Sequence, residues 1–241
     1  MFRPRFGFGS LLLVSSLMGC SGGSGEGQDD AGGSGGRHSG PAVVLGDQRS
    51  GEGTYYDADG TGACMLDASP EALDVAALNA VDWAGSASCG ACAEVTGPSG
   101  AVRVRIVDLC PECVSGDLDL SLQAFEKIAP RELGRVPIDW RLVSCEVRGN
   151  LRYRYKDGSN EWWTAVQILD HRVPIESVEW SKDGQTFHAM QRTDYNYFLE
   201  DEGFGAGGVT LRVTAVTGSV VTDELPPVQE LLVVRGSAQL E

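Results

Sequence analysis

Histidine is scarce in this chain, with three among 241 residues. His38 falls in a glycine-rich stretch, and His171 and His188 lie in the C-terminal part. The cysteine-bearing part between them therefore has no imidazole for a Ser-His-Asp or Cys-His arrangement. Basic residues are also few, 19 Lys and Arg against 34 Asp and Glu, giving a formal charge of −15. No basic stripe exists to neutralise phosphates, which excludes nucleic acid and anionic surfaces as partners and predicts weak binding to acidic pectins. No apolar run is long enough to span a bilayer. No internal repeat is visible, and no cysteine follows Cys145.

What is present begins with an export signal. Arg3 and Arg5 precede the apolar stretch Phe6 to Met18, and Leu17-Met18-Gly19-Cys20 resembles the bacterial lipobox, whose cysteine is lipidated and becomes the first mature residue. Residues 1–20 are expected to be a lipoprotein signal peptide, with an ordinary secretory peptide as the alternative. Loss of Arg3 and Arg5 takes the charge from −15 to −17. Residues 21–42, almost entirely small or polar, read as a flexible tether. The expected location is the outer membrane or cell surface, with release from the cell as a variant, and the lipid at Cys20 as the sole membrane contact.

The remaining residues suit two modest domains, 43–148 and 149–241. Seven cysteines less Cys20 leave six, all in the first. Cys89-Gly-Ala-Cys92 and Cys110-Pro-Glu-Cys113 stand seventeen residues apart, a spacing that fits a zinc ribbon. Export and an even count favour disulfides instead. Glu94-Val95-Thr96, a Gly-Pro-Ser-Gly turn and Ala101 to Val107 read as a hairpin, with Val102, Val104 and Ile106 facing the core. Ser121 is placed to cap a short helix reaching Ile128 before Pro130. Val136 to Val143 reads as a strand with Trp140 inside. The second domain offers short strands over 163–169, 175–180, 186–190, 195–199, 209–215 and 219–222, the pattern of a β-sandwich.

Two carboxylates stand out, Asp108 and Asp119, flanking the Cys110–Cys113 turn. A buried carboxyl can act as general acid towards a glycosidic oxygen, and inverting hydrolysis needs a second carboxylate roughly 6.5–9.5 Å away. Against this, Asp119 can be a helix-start residue preceding Ser121, and Asp108 can serve to order backbone amides. The adjacent Trp162 and Trp163 are the other signal. Strand alternation sends neighbours to opposite faces, so both share a surface only if the strand begins or bulges there. Tyr195 can extend such an aromatic row.

Together the residues resemble a bacterial expansin. The markers are Gly51-Glu52-Gly53-Thr54-Tyr55-Tyr56, Cys89-Gly90-Ala91-Cys92, Val107-Asp108, Leu118-Asp119-Leu120-Ser121, Trp140-Arg141, Gly149 to Arg154, Trp162 to Gln167 and Asp194-Tyr195-Asn196. The resemblance implies a six-stranded double-psi β-barrel over 43–148 and an immunoglobulin-like, carbohydrate-binding β-sandwich over 149–241. It implies a non-hydrolytic wall-loosening protein, a monomer without metal or cofactor, whose partners are cellulose and other neutral β-glucans, with peptidoglycan as a further candidate. Groove residues fall on Thr54, Asp108 and Asp119, with Tyr56 as a sugar contact beside them. The platform falls on Trp162, Trp163 and Tyr195, aided by Lys156. Related barrels imply the pairs Cys64–Cys89 and Cys92–Cys145, leaving Cys110–Cys113. Two departures stand: Cys110 replaces a groove aromatic, and the chain is strongly acidic. Glycan cleavage is the enzymatic alternative, since double-psi barrels also occur in family-45 endoglucanases and lytic transglycosylases. A hydrolytic base would fall on Ala58, with Asp57 one position out of register. A pure carbohydrate-binding adhesin is the third reading.

Overall fold

Six strands close on themselves because each carries one apolar row that the others can bury. They are β1 (Arg49–Tyr56), β2 (Val75–Asn79), β3 (Cys92–Gly97), β4 (Gly100–Cys110), β5 (Leu118–Ser121) and β6 (Val136–Val143). The computed structural model describes residues 42–241; the segments expected to be a signal peptide and a tether, with Cys20 and all residues up to 41, lie outside the described residues. Barrel order is β1-β5-β2-β4-β3-β6, with β6 returning to β1. The pairs β1–β5 and β2–β4 run parallel and the rest antiparallel, a double-psi arrangement. Val102, Val104 and Ile106 are buried while Arg103 and Arg105 point outward, as the two-residue period of a strand requires. Gly97 and Gly100 pair across the expected hairpin turn.

Helix α1 (Ala80–Trp83) starts where Asn79 Oδ1 accepts the Val81 and Asp82 amides. Helix α2 (Leu122–Ile128) is capped by Ser121, whose Oγ accepts the Ala124 amide at 3.1 Å. Trp140 is buried, and its Nε1 donates to the Gly116 carbonyl at 2.8 Å. That bond fixes the loop leading into β5. The loop lies so close to β1 that a Cβ on Gly51 would sit 2.3 Å from the Gly116 oxygen; only glycine fits.

The second half is a sandwich of two antiparallel sheets. One has the order β10-β9-β13-β14, formed by β9 (Ile175–Ser181), β10 (His188–Ala189), β13 (Val209–Ala215) and β14 (Val220–Leu225). The other has the order β11-β12-β8-β7-β15, formed by β7 (Arg152–Tyr155), β8 (Thr164–Leu169), β11 (Gln191–Arg192), β12 (Phe198–Glu200) and β15 (Val233–Arg235). Tyr153, Tyr155, Phe204, Leu211 and Leu240 fill the space between them. The strand expected from Tyr195 begins only at Phe198, because Asn196 takes φ +66° and turns the chain.

Barrel and sandwich fall within one compact unit. The Cys64 carbonyl accepts Gln167 Nε2 at 2.9 Å and Asn196 Nδ2 at 3.0 Å. Arg154 reaches the Met65 carbonyl at 2.6 Å and Asp67 at 2.5 Å. Leu169, at the end of β8, packs into the barrel core. His171 is buried with Nε2 against Gly90, and its Nδ1 donates to the Val173 carbonyl at 2.9 Å. Burial, and then the Arg105 guanidinium, push the His171 ring down to about 4. The histidine assigned to the sandwich is therefore a neutral filler between sandwich and barrel.

Disulfides join Cys64–Cys89, Cys92–Cys145 and Cys110–Cys113. All six cysteines of the described residues are thus consumed, and no thiolate remains for a zinc ribbon. Among the described residues no helix is long and apolar enough to cross a membrane.

Candidate functional site

The parallel pairing of β1 with β5 places Thr54 directly beside Asp119. Thr54 Oγ1 donates to Asp119 Oδ1 at 2.6 Å. Asp119 is a strand residue, not the start of a helix; capping falls to Ser121 two positions on. Burial holds the Asp119 carboxyl above the usual carboxylate range. The Thr54 bond and Arg135 pull it down, while Asp108 and Glu112 push it up.

Asp119 and Thr54 line a cleft of about 220 Å³ with Glu52, Glu112, Asp117, Arg135 and the Cys110–Cys113 bridge. Most of the other charge there is committed. Arg135 pairs with Glu52 at 2.6 Å, and Asp117 Oδ1 accepts the Glu52 amide at 2.8 Å. Asp119 is held by a hydroxyl rather than by a cation. Its second oxygen is available to hydroxyl donors, which is what a sugar presents.

Asp108 is placed differently. Its Oδ1 accepts the amides of Ala63 at 2.7 Å and Leu109 at 2.8 Å, so it ties the loop after β1 to the end of β4. Tyr56, the last residue of β1, feels both carboxylates. Burial, then Asp108, Asp119 and Asp59, push its phenol far above the usual range, so it stays a hydroxyl donor. That hydroxyl is buried without a hydrogen-bond partner among the described residues. Ala58 is buried, and Asp57 is exposed just past the end of β1.

The aromatic candidates lie on the sandwich. Asn160 and Trp163 bridge across a tight corner, with Glu161 and Trp162 at its tip. Asn160 Oδ1 accepts the Trp162 amide at 2.9 Å, and the Asn160 carbonyl accepts Thr164 Oγ1 at 2.8 Å. Because β8 begins only at Thr164, strand alternation does not govern the two tryptophans. Trp162 is 73% exposed and Trp163 half-buried. The corner rests on Gly203, where a Cβ would lie 2.3 Å from the Glu161 oxygen, and the Gly205 amide donates to that same oxygen at 2.8 Å. Lys156 Nζ sits 6.0 Å from the Tyr195 ring and 5.9 Å from the Tyr197 ring. Tyr195 and Tyr197 lie 6.0 Å apart.

On the barrel the structure joins Thr54 and Asp119 in one cleft, whose lining does not include Tyr56 and Asp108; on the sandwich it joins Lys156 with Tyr195. Sequence reasoning missed Arg135, Glu112 and Tyr197. Glu112 sits within the Cys110–Cys113 turn already singled out and Tyr197 within the strand expected over 195–199, whereas nothing local marks Arg135. Among the described residues no group of three or more His, Cys, Asp or Glu could hold a metal ion.

A closed double-psi barrel followed by a β-sandwich defines a two-module all-β class, and its relatives are informative. A family model described as "Lytic transglycolase" matches residues 49–140. "Expansin-YoaJ" of Bacillus subtilis (strain 168) is 37% identical over 194 residues, spanning 78% of this chain and 83% of that protein. The solved apo expansin of Clavibacter michiganensis is 30% identical with a TM-score of 0.72, covering 80% of this chain and 98% of that one. A variant of that protein, solved in complex with cellohexaose, matches equally well, also with a TM-score of 0.72. This chain belongs to the expansin family.

Proposed function

We propose that this chain grips cellulose-like glucans and loosens wall polysaccharide without cutting it. The cleft around Asp119 holds a single glucan chain, while Trp162, Trp163, Tyr195 and Lys156 anchor the sandwich to cellulose. Exported as a lipoprotein through Cys20, it works as a monomer outside the cell, on neutral β-glucans. Support comes from family membership and from the cellohexaose bound by the Clavibacter relative.

The observation that carries the non-cutting reading is Ala58. A hydrolytic base would fall at that position, which holds a buried methyl group, while Asp57 is exposed just past the end of β1. Asp119 therefore works without a base at that position. A carboxyl above its usual range, gripping sugar hydroxyls by hydrogen bonds, can weaken contacts between glucan chains without proton transfer. Wall-strip extension alongside reducing-end assays on cellulose tests this: extension without new reducing ends is expected, and stoichiometric release would overturn it.

A second reading has its own observation. Lytic transglycosylation needs one acid only, and burial favours a protonated Asp119. Anhydro-sugar products from peptidoglycan, lost in Asp119→Asn, would establish that activity in place of the first.

A further inference from the structure

Access separates Cys110–Cys113 from the other two bridges. Cys64, Cys89, Cys92 and Cys145 are buried at 0–7% exposure, whereas Cys110 and Cys113 are half-exposed and form part of the cleft wall. Exchange requires a thiolate to approach a disulfide sulfur, so access selects this bridge. Loop size makes its opening the one the fold tolerates best. It spans a sequence separation of 3, against 25 and 53, so its loss costs the folded protein the least stability.

Its place in the fold gives the opening a consequence. Cys110 is the last residue of β4, and the wall from Pro111 to Val114 has no sheet partner. Beyond it the chain is fastened by the Trp140–Gly116 bond and by the Asp117 amide on the Val114 carbonyl at 3.0 Å. Thr54 and Asp119 are fixed separately, by the β1–β5 register. Breaking the bridge therefore frees the wall and leaves the carboxylate in place.

We propose that Cys110–Cys113 is a thiol-exchange site, with small non-anionic thiols as co-substrates, whose opening slackens the cleft wall and weakens its grip on glucan. A thiolate forms a bond to one cysteine sulfur as the Cys110–Cys113 bond breaks, and the electron pair leaves on the other cysteine. A second thiolate attacks the mixed disulfide and releases the first cysteine. Two thiols become one external disulfide, and their two protons end on Cys110 and Cys113. Glu52, Glu112, Asp117 and Asp119 face the single cation Arg135 in this cleft, so its field opposes anionic attackers.

The link from opening to grip rests on the cleft reading above; the exchange itself does not. The full protein is treated with cysteamine or 2-mercaptoethanesulfonate at equal thiolate concentration, quenched with iodoacetamide and peptide-mapped. Label is expected on Cys110 and Cys113 alone, about tenfold faster with cysteamine at low salt, the ratio shrinking as salt rises. Wall-strip extension should fall with labelling, cellulose binding should hold, and a Cys110→Ser/Cys113→Ser variant should ignore thiol. Label arriving first on another bridge, or no label before unfolding, overturns the exchange site. Full extension by the labelled protein, with Asp119→Asn inactive, overturns the link to grip. Full extension by Asp119→Asn would instead overturn the cleft reading and leave the mapping result standing.

Discussion

Trp162→Ala tests the anchor with a number. The ring is 73% exposed, held out at a corner by backbone contacts rather than by packing of its own. A tryptophan carries about 150–250 Å² of surface, and a sugar ring stacked on one face would cover roughly 80 Å² of it. At about 25 cal/mol per Å² that is ~2 kcal/mol, or roughly a 30-fold rise in Kd. Removing an exposed ring should change stability by less than about 0.5 kcal/mol, a shift in Tm of about 2 °C at most. Trp140→Ala is the matched control. That ring is 3% exposed and its Nε1 is bonded, so its loss should cost about 3–5 kcal/mol and lower Tm by roughly 10 °C. Depletion isotherms on crystalline cellulose with calorimetry of both variants separate the two effects. Wild-type cellulose affinity in folded Trp162→Ala would refute the stacking argument, and a large loss of Tm would refute the corner geometry.

Asp119→Asn should abolish wall-strip extension while its cellulose isotherm stays unchanged. The same variant should melt higher than wild type at neutral pH: folded Asp119 keeps a proton that the unfolded chain has released, so stability falls as pH rises through that window. The gain should vanish below about pH 4, the ordinary aspartate value, and a gain that persisted there would contradict it. His171 has the opposite sign, since its folded value is lowered to about 4 and the unfolded ring protonates first. Its share of stability is whole above the ordinary value of about 6.5 and is lost as pH falls, reaching about 3 kcal/mol near pH 4; a flat acid limb in wild type would exclude this. Removing Cys92–Cys145, Cys64–Cys89 and Cys110–Cys113 in turn should lower stability by about 4, 3.5 and 1.6 kcal/mol in the loop-entropy model, following separations of 53, 25 and 3. Denaturant midpoints in any other order would point to packing around the bridges.

Alternation made β4 and β6 legible, because one face of each is buried and the other is wet. β2 was not legible: all five of its positions are buried, and an unbroken apolar run has no period to read. β5 is four residues long, too short to show a pattern before Ser121 starts the helix. Asp119 was visible as a residue but not in its setting, since Thr54 reaches it only through a parallel pairing across 65 positions. Arg135 was invisible for the same reason, its partner Glu52 being supplied by the opposite end of the barrel sequence. Tyr195 was placed in a strand because nothing local announces that Asn196 turns left-handed to donate to Cys64.

That bond has a mechanical meaning. Tyr195 is covalently followed by Asn196, whose amide grips the Cys64 carbonyl; Cys64 follows Ala63, whose amide is tied to Asp108 at the end of β4. Gln167 pulls on the same carbonyl from β8, the strand that the tryptophan corner feeds. Tension applied at the aromatic corner of the sandwich is therefore carried by stiff strands and short bonds into the Asp108 end of β4. On the proposed function, thermal motion of a fibril surface would become strain on the one chain gripped at Asp119, and the molecule would behave as a wrench with a fixed jaw rather than as two grips on a rope.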